Sequence, residues 1–115
     1  MNGWLYSTHG TRSTAQDPNW YAVAWRIEKA SQVPLYGDCT WVDGWPQPSE
    51  RLTPGLNGTG GHTSPFNFTA RFALARHGEH INLAFTDGHV AKVHVTDLHQ
   101  YLWKPNWTPH SLDMP

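Results

Sequence analysis

"RHGEHINLAFTDGHVAKVHV", residues 76–95, decides the fold. Within it, Ile81, Leu83 and Phe85 alternate with Asn82, Ala84 and Thr86, the period-two signature of a half-buried strand. Asp87-Gly88 follows at once, and "HVAKVHV" reads as a second short strand. An Asp-Gly pair between two such runs is a strong hairpin signal, because glycine adopts positive φ without steric cost. "ARFALARH", from about residue 70 to 76, can form a strand on the other side. The expected core is therefore an antiparallel meander of three strands.

His77 and Asp87 frame the central run, with nine residues between them. Ten extended residues span roughly 30 Å. Metal ligands or a catalytic pair must lie within a few ångströms of a shared point. The two residues therefore mark the two turns of the meander: Asp87 opens one, and His77 holds the other through backbone hydrogen bonds. A metal reading stays open if either residue meets partners from elsewhere. Asp38, His77 and Asp87 are the candidate ligands, with Asp43 and His62 in reserve, and the carboxylates suit a hard cation such as calcium. A second option for a site is the place where Asp87, His77 or Asp38 meet the long loop.

That loop runs over residues 46–65, "PQPSERLTPGLNGTGGHTSP", and is rich in proline and glycine. Loops of this length are often functional. Upstream, "DPNWYAVAWRIEKAS" reads as a helix near 18–30, with Asp17 as N-cap and Pro18 at the first helical position. Its aromatic and β-branched content makes a strand over 20–27 the rival. Val33, Leu35 and the residues up to Val42 read as extended structure broken near Gly37. At the other end "TDLHQYLW" reads as a short helix near 97–103, capped by Thr96, with Leu98, Tyr101 and Leu102 facing inward. The 115 residues suffice for one domain, over 1–115, of α+β class.

Composition narrows the function classes. A net charge of −1 and scattered basic residues argue against nucleic acid or an anionic membrane as partner. The single cysteine, Cys39, excludes an internal disulfide. Hydrophobic residues make up only 38%, so the seven tryptophans must supply much of a core or of a binding surface. Trp41, Trp45, Trp103 and Trp107, in "WVDGWP" and "WKPNW", offer a sugar-stacking set; buried in the core is the alternative. "NGTGGH" lacks the lysine and context of a phosphate loop, and Cys39 has no histidine partner assigned, so no enzyme chemistry is read.

"RHGEHINLAFTDGHVAKV" resembles the prepilin-type processing-associated H-x9-DG domain, the C-terminal part of pilin-like proteins in planctomycetes and related bacteria. The likeness rests on Arg76-His77, Asn82, Phe85, Asp87-Gly88-His89-Val90 and Lys92. It extends to "ASQVPLYGDCTWVDGWP", to Leu102-Trp103 in "VTDLHQYLW", and to "NGWLY". The resemblance implies a pilin-like globular domain, and a structural role for His77, Asn82, Asp87 and Gly88. It implies an exported, extracellular or envelope subunit of a pilus-like or type II secretion-like filament, partnered by copies of itself or by other pilin-like subunits. Membrane contact would come only through an N-terminal helix that this sequence lacks, so a truncated piece or a free-standing variant is expected.

Overall fold

The computed structural model describes residues 1–5, 27–39, 43–51, 69–72 and 77–112. Strand β1 is Pro34–Gly37, β2 is His80–Phe85 and β3 is Val90–His94. They form one antiparallel sheet in the order β1-β2-β3. The hairpin of β2 and β3 matches the alternation. Ile81, Leu83 and Phe85 are buried, whereas Asn82 is exposed and Ala84 half-buried.

The second neighbour of β2 corrects the meander. It is β1, contributed by residues far upstream, and not a strand from 70–76. Thr69–Arg71 form a short 3-10 turn instead, and residues 73–76 lie outside the described part. The β1 register shifts between Pro34 and Tyr36, leaving Leu35 as a bulge. Leu35 turns this extra residue to use, since its carbonyl accepts the backbone N–H of Asn2 at 2.9 Å.

The hairpin loop spans residues 86–88. Gly88 N–H donates to Phe85 O and Phe85 N–H to His89 O, both at 2.9 Å. Thr86 and Asp87 keep negative φ, and only Gly88 is left-handed at φ 93°. This is a three-residue loop closed by a glycine bulge, not the two-residue turn that Asp-Gly usually makes. Asp87 thus sits inside the turn and does not open it.

The C-terminal helix begins earlier than expected and is 3-10, Val95–Gln100. Its cap is His94, whose Nδ1 accepts the Thr96 N–H, so Thr96 is the capped residue and not the cap. Leu98 is buried, while Tyr101 and Leu102 are half-buried. The helix expected near 18–30 falls largely outside the described residues; residues 27–29 are not helical, and a 3-10 turn follows at Ala30–Gln32. Among the described residues no helix is long and apolar enough to cross a membrane.

One apolar cluster lies beneath the sheet. It joins Ile81, Leu83, Phe85 and Val93 to Phe72, Val95, Leu98, Trp103, Trp107 and Leu112. The Phe72 and Trp103 rings meet at 4.8 Å. Asn2 seals one end: its side-chain amide donates to Pro34 O at 2.9 Å and to Trp103 O at 3.0 Å. The result is a small three-stranded antiparallel sheet with short helices, compatible with an α+β domain.

Candidate functional site

The residues of the H-x9-DG stretch fall at both ends of β2. At the hairpin end, Asp87 Oδ1 accepts from His89 N–H at 3.1 Å and lies 2.6 Å from His89 Nδ1. These His89 hydrogen bonds hold the Asp87 carboxyl below its ordinary range. His89 in turn stacks flat on Phe85 at 4.3 Å. At the other end, Gly78 and Glu79 take consecutive left-handed conformations before β2 begins. His77 is exposed there, and its Nε2 lies 3.6 Å from Asp38 Oδ2, too far for a hydrogen bond. Asn82 carries the tie to β1, donating both its backbone N–H and its side-chain amide to Asp38 Oδ2.

Asp38 and His77 are therefore neighbours, but Asp87 stands at the far end of the strand. Among the described residues no group of three or more His, Cys, Asp or Glu could hold a metal ion. The candidate set of Asp38, His77 and Asp87 does not converge, because a straight β2 keeps its two ends apart.

Two members of the sugar-stacking set lie in the core. Trp103 and Trp107 are buried. Their indole N–H groups donate to Leu98 O at 2.7 Å and His99 O at 2.9 Å. Trp45 is half-buried and lies against Gly3, so closely that a Cβ there would collide with the indole. Trp41 lies outside the described residues.

A polar cluster that the sequence did not announce lies at the base of the core. Glu50 and Thr69 are buried, and His99 is completely so. Glu50 Oε2 accepts from Thr69 Oγ1 at 2.6 Å and from the N–H groups of Gln47 and Thr69, each at 2.9 Å. Thr69 Oγ1 lies 2.8 Å from His99 Nε2, and His99 Nδ1 lies 2.9 Å from His110 Nε2. Burial, with His110 beside it, pushes His99 down to about 3, so its imidazole is neutral. Glu50 and His110 both line a surface depression of about 210 Å³, with Ser49, Arg51 and Ser111.

Carboxylate, hydroxyl and imidazole in a row invite comparison with a hydrolase triad. The order is wrong for one. A triad carboxylate orients the histidine, whereas here it takes the hydroxyl's own hydrogen bond. Thr69 is also 1% exposed, beyond the reach of a substrate. No family model, curated protein or solved structure matches this chain.

Glu50 lies in the segment expected to host a site, yet its partners are not Asp38, His77 or Asp87. Thr69, His99 and His110 come from three other segments and share no spacing that sequence reading could detect. The one signal was the abundance of histidine, eight in all.

Proposed function

We propose that the chain is the globular head of a pilin-like subunit of the H-x9-DG type. Its role is structural and non-catalytic, in an extracellular or envelope pilus-like or type II secretion-like assembly. The observation that carries this reading is the outer face of the sheet. Tyr36, Ala84 and Val90 lie side by side across β1, β2 and β3. Tyr36 is 54% and Val90 67% exposed, and they are the exposed large hydrophobics among the described residues. Asp38 and Lys92 flank Asn82 in the adjoining polar row.

Such a face suits a second copy of itself. A two-fold axis along β2 would set Tyr36 against Val90 and Asp38 against Lys92, pairing apolar with apolar and acid with base. The hydrogen bonds of the motif also favour scaffolding over chemistry: Asp87, Gly88 and Asn82 all serve backbone geometry. The burial of Trp103 and Trp107 weighs against the carbohydrate-binding alternative.

Sedimentation of the purified chain over a range of concentrations tests the reading. Reversible self-association is expected, weakened about tenfold or more by Tyr36→Lys or Val90→Lys, since each buries a charge without a partner. A monomer at every concentration, or association indifferent to both substitutions, would count against it. Fractionation of source cells gives a separate check, with the envelope or medium as the expected location.

A further inference from the structure

Glu50, Thr69, His99 and His110 make one unbroken hydrogen-bond chain, and its far end continues from His110 Nδ1 to Thr108 O at 2.9 Å. The chain thus has four contacts, and each needs one hydrogen. The threonine hydroxyl and two neutral imidazoles bring one apiece. The Thr108 carbonyl only accepts, and so does a Glu50 carboxylate. The fourth hydrogen is therefore a titratable proton.

Its place follows from the surroundings. Two backbone N–H groups already donate to Glu50 Oε2, so this oxygen stands in the chain as an acceptor. His99 is fully buried, so a charge there is costly to desolvate. His110 is half-buried and opens onto the surface depression. With the proton on His110, every contact has one donor and one acceptor. His110 Nδ1–H donates to Thr108 O, and His110 Nε2–H to His99 Nδ1. His99 Nε2–H donates to Thr69 Oγ1, and the hydroxyl to Glu50.

The geometry points to a pH-sensitive clasp, in which a proton on His110 completes the chain to Glu50 and fastens residues 107–112 to the sheet domain. Loss of that proton leaves three hydrogens for four contacts, so either His110 Nε2 and His99 Nδ1 or His110 Nδ1 and Thr108 O, each pair 2.9 Å apart, face each other as two acceptors. Among the described residues, the segment has further polar ties, the first being the Trp107 indole N–H to His99 O at 2.9 Å. His110 N–H donates to His99 O, Leu112 N–H to Thr96 O and the Gln100 side chain to Ser111 Oγ. Among the described residues, the charged and titratable groups facing His110 are His99 from the 3-10 helix, and Glu50 and Arg51 across the depression. Trp107 stacks beside it at 6.0 Å and is uncharged. The clasp is independent of the assembly reading, because it uses none of the outer sheet face.

Nitrogen-15 spectra of the histidine rings test the clasp directly, recorded between about pH 5 and pH 9 to bracket the range where histidine titrates. At the acidic end His110 is expected to carry both ring hydrogens and His99 only that on Nε2. As His110 loses its proton, amide-exchange protection at His110 and Leu112, corrected for intrinsic exchange, should fall by about tenfold relative to Ile81 and Val93. His110→Gln keeps a donor and cannot titrate, so its protection should be flat across the same range. A neutral His110 at the acidic end, a hydrogen on His99 Nδ1 in place of Nε2, or protection that ignores His110 titration would overturn the clasp. Should the variant not fold, the ring spectra of the unaltered protein decide alone.

Discussion

Asp38 and Asn82, 44 positions apart, are joined twice through a single oxygen. Asp38 Oδ2 accepts the Asn82 backbone N–H at 2.9 Å and the side-chain amide at 3.2 Å. The Asp38 N–H returns a bond to Asn82 O at 3.1 Å. This exchange extends the pairing of β1 and β2 past Gly37, where β1 ends. Asp38→Ala removes both side-chain bonds and leaves β1 held by its bulged register. A loss of about 1 kcal/mol is expected in urea unfolding, with β1 amides losing protection before those of β3. Equal loss of protection in both strands would contradict this role.

Gly88 and Asp87 act on the hairpin by different means. Gly88→Ala meets no atoms within 4 Å, so its cost comes only from the left-handed backbone, φ 93°. About 1 kcal/mol of destabilisation is expected. Asp87→Ala removes the acceptor for two His89 donors. A fall in melting temperature of a few degrees is expected at neutral pH, shrinking as pH drops through the range where Asp87 itself protonates. The depressed Asp87 carboxyl stabilises the fold above its unfolded value of 3.8 and ceases to do so below its folded one. Melting curves of both proteins at neutral and strongly acidic pH settle the point.

His99 sets an acid limit. Its folded value of about 3 lies below the ordinary 6.5, so the unfolded chain binds more protons between these values. The stability it contributes is whole above pH 6.5 and declines as pH falls towards 3. The decline amounts to at most about 4–5 kcal/mol. His99→Asn should flatten the acid limb while lowering stability at neutral pH. Denaturant midpoints measured at several pH values would reveal a limb that is unchanged, which is the contrary result.

Trp103 is the largest fully buried side chain among the described residues, and its indole N–H meets Leu98 O at 2.7 Å. Trp103→Ala is expected to cost about 3–5 kcal/mol, from the cavity and from the carbonyl left without its donor. Trp103→Phe refills most of the volume and should cost less. Collisional quenching by iodide should leave Trp103 and Trp107 fluorescence largely untouched, and saturating oligosaccharide should leave it unchanged.

The β2–β3 hairpin was legible because its information is local. Alternation at Ile81, Leu83 and Phe85 sets the buried face, and Gly88 closes the loop. The partner of β2 was not, since the choice of Pro34–Gly37 depends on contacts such as Asp38 with Asn82 that no nearby residue announces. His77 lies 3.6 Å from Asp38, which the sequence could offer only as a partner from elsewhere because it comes from the end of β1. The polar chain from Glu50 to His110 was invisible, because four segments each bring one member. Trp103 and Trp107 carried two readings until burial separated them, since an indole suits a core and a sugar face alike.

The bond from Asn2 to Trp103 O spans 101 positions, and β1 must wait for β2. A ribosome delivers these pieces in order, so Pro34–Gly37 leaves the tunnel long before the strand that completes it. The hairpin can form as soon as it emerges, whereas the seal at Asn2 closes only after residue 103 is translated. Closure of the core is therefore late and follows the hairpin, and a nascent chain stalled before Trp103 carries an open core for a chaperone to cover.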